Sequence, residues 1–225
     1  MAQIFPRWTN TLPTIFAGGV STLALGVIGF FWYYGSPKFT DVGYRPDQPV
    51  QYSHKLHAGD MGMDCRYCHS QVEKSSVANV PATQTCMNCH KIVAAKSEKL
   101  LAVRESYETG KPIEWVRVHK VPDFAYFNHS AHVNVGVGCS SCHGNIAQME
   151  VVAQAQPLSM GWCLDCHRNP DMALRPKDKV TAMDWTPGQD LPGEGTPEQK
   201  QLRFAAAVKL EKHINPPVNC SGCHR

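Results

Sequence analysis

Apolar positions are gathered at one end of the chain. No charged side chain occurs in residues 8–36, and residues 12–34 supply 23 positions, about 34 Å of helix at 1.5 Å per residue, enough to cross a bilayer. The stretch is long for the apolar part of a secretory signal, ends in Phe30-Phe31-Trp32-Tyr33-Tyr34, an aromatic belt, and is followed by no adjacent small-x-small cleavage site. It is expected to be kept as a membrane anchor. Gly18, Thr22 and Gly26 recur every four residues and would suit close contact with another membrane helix, although ordinary glycine content of a span explains them equally well.

Beyond residue 37 the apolar pattern becomes short and local. Thr85 can cap a helix that carries residues 86–90 and continues through Ile92, Leu100, Leu101 and Tyr107 until Gly110 and Pro112 stop it. Thr196-Pro197-Glu198-Gln199 reads as a capping box with proline at the first helical position, opening a helix through Leu202, Ala206 and Leu210. Between them, residues 186–196 form a polar loop, either solvent-exposed or in contact with a partner. The predicted fold class is mainly α and irregular.

Composition adds that something other than side chains must fill the core. The mean hydropathy of -0.31 already includes the apolar stretch, so the remainder is distinctly polar. A charge of +3, from 22 Lys+Arg against 19 Asp+Glu, gives no support to a basic groove, and no nucleic-acid partner is expected.

The ten cysteines decide the chemistry. All of them fall in CxxCH motifs: Cys65, Cys68 and His69; Cys86, Cys89 and His90; Cys139, Cys142 and His143; Cys163, Cys166 and His167; Cys220, Cys223 and His224. On a helical turn, positions i, i+3 and i+4 share a face, so two thiols can meet the two vinyl groups of a porphyrin while the imidazole reaches its iron. A single copy could be a zinc knuckle or a redox CxxC; five copies that use every cysteine predict five covalently bound c-type haems. The core of residues 38–225 is then five stacked haems, since about 38 residues per cofactor are too few for separate hydrophobic cores.

Six further histidines, His54, His57, His119, His129, His132 and His213, are available for five distal positions, so every iron can be closed and no catalytic substrate site is expected. Four of them lie in an internal repeat. Tyr52-x-His54-x-x-His57 precedes Cys65 and Cys86 as Phe127-x-His129-x-x-His132 precedes Cys139 and Cys163, with offsets of 75 for both histidines, 74 and 77. The two histidines of each HxxH can serve two neighbouring haems. For the fifth distal ligand His119, His213, Met149 and Met160 compete, and His119 is preferred; a methionine would raise the potential of that haem.

The expected organisation is an anchor at 1–37 and a pentahaem domain at 38–225, with repeat modules at about 50–110 and 118–168 and a C-terminal haem segment at 196–225. Arg7 and the amino terminus are a weak signal for an inside N-terminus. Haem attachment to CxxCH takes place on the outer side of the cytoplasmic membrane, which puts the haem domain in the periplasm.

The HxxH-then-CxxCH arrangement of residues 50–167 resembles the class III multihaem cytochromes. More closely, residues 52–69, 118–143 (with Phe124-Ala-Tyr-Phe-Asn-His-Ser-Ala-His132 and Gly136-Val-Gly-Cys-Ser-Ser-Cys-His-Gly144) and 157–168 resemble the pentahaem cytochrome c subunits of alternative complex III, membrane quinol:electron-acceptor oxidoreductases of respiratory and photosynthetic chains. The resemblance implies that quinol is oxidised in a multispan quinol-binding subunit, that electrons pass an iron–sulfur subunit, and that the haems relay them to a periplasmic cytochrome c or blue-copper protein. The C-terminal motif departs from that pattern. The competing reading is a self-sufficient, single-helix-anchored quinol dehydrogenase feeding a periplasmic reductase. A catalytic multihaem reductase is disfavoured, because no CxxCK occurs.

Overall fold

The structure, a computed structural model, describes residues 4–224; the amino terminus at residues 1–3 and Arg225 lie outside the described residues. The chain divides into two compact units between Val42 and Gly43.

In the first unit α1 spans Leu12–Tyr34, as the uncharged window predicts. It is long and apolar enough to cross a membrane, and none of its residues is buried. Gly35 closes it by donating to the Phe31 carbonyl at 2.9 Å, and the short helix α2, Pro37–Thr40, follows. Phe39 of α2 turns back to lie 4.6 Å from the Tyr34 ring and 5.8 Å from that of Tyr33, which is why this turn belongs with the apolar helix.

The second unit is an irregular chain punctuated by short helices: α3 (Cys65–Cys68), α4 (Thr83–His90), α5 (Leu101–Thr109), α6 (His129–Val135), α7 (Cys139–His143), α8 (Met160–Arg168), α9 (Pro197–Glu211) and α10 (Cys220–Cys223). Among the described residues the only β features are two isolated bridges, Ala125 with His224 and Val137 with Leu174. The mainly α and irregular class is therefore observed.

One predicted helix is corrected. Residues 85–109 do not form one continuous helix: α4 begins at Thr83, ends at His90, and a separate α5 starts at Leu101. The cause is local. His90 Nδ1 donates to the Val93 carbonyl at 2.9 Å and Ala94 adopts φ 51°, so the backbone turns away directly after the histidine. The two helices pack against each other through Val50, Met87 and Val103, with Leu100, Tyr107 and Trp115 around them. Gly110, left-handed at φ 73°, ends α5 as expected.

The capping box of α9 forms as read: Thr196 Oγ1 accepts from Gln199 N–H and Gln199 Oε1 accepts from Thr196 N–H. The loop before it is only partly solvent-exposed, since Leu191 is 6 % exposed. Gln201, fully buried, holds α9 in place: its Nε2 donates to the carbonyls of Asp171 (2.5 Å) and Leu174 (2.8 Å), and its Oε1 accepts from Gly188 N–H at 3.0 Å. Gln201→Leu keeps the volume but strands three buried backbone groups, and is expected to cost about 3 kcal/mol of stability, read as a lower denaturation midpoint.

The modules meet along a backbone seam. His129 N–H donates to Ser76 O and Ser130 N–H to Ser75 O, both at 3.1 Å, and Lys55 N–H donates to Met149 O at 3.0 Å. Gly59 lies so close to this seam that a Cβ there would stand 2.3 Å from the Ala147 carbonyl oxygen. Yet the protein core is thin. Among the described side chains, Leu174 and Gln201 are the largest that are fully buried, and a second small cluster consists of Val72, Val133 and Val180.

Candidate cofactor sites

Each CxxCH motif lies on a short helix or at its C-terminal end, which brings both thiols and the histidine to one side. Local capping starts three of these helices: Asp64 Oδ1 accepts from Arg66 N–H (2.8 Å), Ser159 Oγ from Trp162 N–H (3.3 Å) and Asn219 Oδ1 from Gly222 N–H (2.9 Å). The Arg66 guanidinium, hydrogen-bonded to Asp64, holds that carboxyl down to about 2. All ten cysteines are free, and among the described residues no three His, Cys, Asp or Glu side chains gather to enclose a bare metal ion.

The repeated aromatic-x-HxxH segments share one ring geometry. Tyr52 stacks on His57 (4.5 Å, 24°) and stands edge-on to His54 (4.8 Å, 85°); Phe127 stacks on His132 (4.7 Å, 27°) and stands edge-on to His129 (4.7 Å, 86°). The aromatic residue thus orients both imidazoles in each copy. The first copy rides on a π-helical turn, Lys55–Asp60, and the second on α6. In both, the second histidine donates Nδ1–H to the carbonyl four residues earlier, His57 to Ser53 and His132 to Asn128, at 2.8 Å.

The same tautomer recurs. Nδ1 of His69 faces the Asn79 carbonyl (2.5 Å), His90 that of Val93 (2.9 Å), His129 that of Ser76 (2.8 Å), His167 that of Pro217 (2.7 Å) and His224 that of Phe124 (3.1 Å). A carbonyl only accepts, so Nδ1 carries the proton in each and Nε2 keeps its lone pair for a metal.

Distances between facing imidazoles test whether an iron fits. Two metal–nitrogen bonds of about 2 Å on opposite sides of one ion, with each ring centre about 1 Å behind its nitrogen, put the centroids about 6 Å apart. His57 and His90 are 6.2 Å apart, His129 and His143 6.4 Å with planes 12° from parallel, and His132 and His167 6.0 Å. His54 lies near His69. Burial, with these neighbours, pushes His54 down to about 4 and His143 down to about 3, which keeps both imidazoles neutral as ligands require. A mostly apolar space, open to solvent, lies between the first and third motifs, bordered by both HxxH segments and by Cys65, Cys68, Cys139 and Cys142. The residues fit the group.

The motifs neighbour one another in an order unlike that of the sequence. The segment with His54 and His57 joins the second motif to the first; Cys65 and Cys139, which border the same space, join the first to the third. His129 and His132 join the third to the fourth, and the His167–Pro217 hydrogen bond joins the fourth to the approach of the fifth. Cys89 and Cys220, in the motifs at the two ends, are exposed.

Of the candidates for the fifth distal position, His119 is half-buried with its ring 4.3 Å from His143, and its Nε2 is buried without a hydrogen bond. His213 is exposed at φ 51°, Met160 is 66 % exposed, and Met149 Cε lies beside Gly144. Sequence reasoning missed Arg175, buried against the third motif; the only available signal was a lone arginine in an apolar context, Ala173-Leu174-Arg175-Pro176.

Comparison with known proteins agrees with this geometry. Residues 50–106 match the family of cytochrome c7 and related cytochrome c. The menaquinone reductase multihaem cytochrome c subunit of Nitratidesulfovibrio vulgaris (strain Hildenborough) is 29% identical over 177 residues, 68% of this chain and 82% of that protein. The helical, irregular second unit is thus that of a multihaem cytochrome c domain, cytochrome c7-like over residues 50–106, and that likeness implies covalently bound c-type haem.

Proposed function

We propose that the chain is a membrane-anchored pentahaem cytochrome c that relays electrons between a quinol-oxidising membrane complex, of the alternative complex III type, and a periplasmic acceptor such as a cytochrome c or blue-copper protein. The observation that carries this reading is the spacing of the facing imidazoles, which would let each of three pairs hold one iron between two ring nitrogens. Bound c-type haem supplies a reversible one-electron change at its iron. The chain's own part is to hold and close that iron. The ten cysteines would attach the porphyrins; His69, His90, His143, His167 and His224 would hold the irons opposite His54, His57, His129 and His132, and the Nδ1 hydrogen bonds of His57, His129 and His132 leave their Nε2 free for the purpose. The apolar helix α1 anchors the domain from an inside N-terminus and docks on the other subunits, an iron–sulfur protein and multispan quinol-binding proteins.

His119 is the candidate for the fifth distal ligand, since its Nε2 is buried and unpaired while His213 is exposed. Its ring stands edge-on to His143 at 4.3 Å, closer than the about 6 Å of two rings facing across one iron, so His143 is not the partner it would serve with. His119→Ala is expected to add one high-spin haem to the ferric EPR spectrum and His213→Ala none; the opposite result assigns the ligand to His213.

A second reading concerns direction. The relative's name states menaquinone reduction, so electrons could enter from the periplasmic side and leave to quinone. Purification from native membranes in mild detergent, followed by assays of haem reduction by quinol and of haem oxidation by quinone, separates the readings. Quinol reducing the haems only in a complex that contains the further subunits supports the relay. Haem oxidation by quinone, without reduction by quinol, supports the reverse direction. Equal rates of quinol oxidation by the isolated chain make it a quinol dehydrogenase in its own right.

A further inference from the structure

Arg175 is 7 % exposed and forms no ion pair with a carboxylate among the described residues. A buried, unpaired cation is costly, so its surroundings bear on what it does. Its Nη1 donates to the Ala182 carbonyl at 2.7 Å, its Nη2 donates to Ser140 Oγ at 2.5 Å, and its guanidinium lies 5.0 Å over the Trp185 ring. Nε is buried with no hydrogen-bond partner. Ser140 is inside the third motif, between Cys139 and Cys142. The chain is shaped to let the charge in: a Cβ on Gly138 would lie 2.1 Å from Nε, and Arg175 N–H donates to Gly136 O at 2.7 Å. Both acceptors around the guanidinium are neutral, so hydrogen bonding holds Nη1 and Nη2 without cancelling the charge.

We propose that Arg175 raises the reduction potential of the haem attached to Cys139 and Cys142 and ligated by His143. The proposal rests on the cofactor reading above. Reduction adds one electron to the site and lowers its charge by one, with no bond or proton changed at Arg175. A fixed positive charge in a desolvated setting favours the state of lower positive charge. The third motif is also the middle one in the spatial order, so this charge sets the central step of the series and not either exposed end.

The experiment is a spectroelectrochemical redox titration of the purified full-length holoprotein, with haem content measured on each sample. Arg175→Gln removes the charge, Arg175→Lys keeps it, and Ser140→Asp leaves arginine in place while setting a carboxylate against Nη2. One component is expected to fall in Arg175→Gln and in Ser140→Asp by about tenfold in its equilibrium, 59 mV for one electron, and to stay near its native position in Arg175→Lys. If Arg175→Gln does not accumulate, Ser140→Asp alone carries the test. Unmoved potentials at unchanged haem content overturn the proposal, as does an equal fall in Arg175→Lys, which makes Arg175 a structural pin. Loss of a haem from the native chain's expected five is a different failure, that of the cofactor reading itself.

Discussion

Alanine at both His129 and His132 is expected to convert two haems to the high-spin state and leave the others low-spin. The two imidazoles face different proximal partners, His143 at 6.4 Å and His167 at 6.0 Å, although they are three residues apart on one helix. Each single variant should therefore convert one haem, and the effects should add. Alanine at His57 should act on the haem of His90 alone, because those rings are 6.2 Å apart. Ferric EPR of the purified holoprotein reads the count. One converted haem in the double variant would mean that His129 and His132 do not serve separate irons, and the pairing by distance would be wrong. Removing a distal imidazole should also change the potential of its own haem, since axial ligation is one of the main levers on it.

Replacing Cys139, Cys142 and His143 together by alanine is expected to do more: the whole second unit should fail to reach a protease-resistant fold. The third motif borders the apolar space lined by both HxxH segments. Cys139 N–H donates to the Val180 carbonyl at 3.0 Å, and the cluster of Val72, Val133 and Val180 packs around Cys139. With so few side chains buried in either cluster, a cofactor that binds only the folded chain supplies stability the residues lack. The same replacement at Cys220, Cys223 and His224 should be far milder, because Cys220 is exposed and the motif lies at one end of the series. Limited proteolysis of the two variants side by side makes the comparison. Equal resistance would show that side chains, and not the central haem, hold the fold.

Much of this was legible in residue spacing. The apolar helix, the capping box at Thr196 and the stop at Gly110 depend on neighbours within a few residues, and each formed as read. The pairing of histidines was not legible, because His57 meets His90 and His132 meets His167 only after the chain has crossed turns that carry no periodic signal. The break after His90 was hidden for a related reason: Ile92, Leu100, Leu101 and Tyr107 keep a helical rhythm, but His90 Nδ1 takes the Val93 carbonyl and Ala94 turns left-handed. Arg175 shows the limit most clearly, since its environment is assembled from Gly136, Gly138, Ser140, Ala182 and Trp185 on separate segments. His119 was singled out by sequence, and the structure sets its ring against His143, a proximity no spacing rule indicated.

The most direct test of the central claim is the intact mass of the denatured full-length protein purified from its native membranes. Covalent attachment at every motif predicts the chain mass increased by five haems, retained after denaturation. A mass increased by four or fewer would contradict the account, because at least one CxxCH helix would then serve some other purpose.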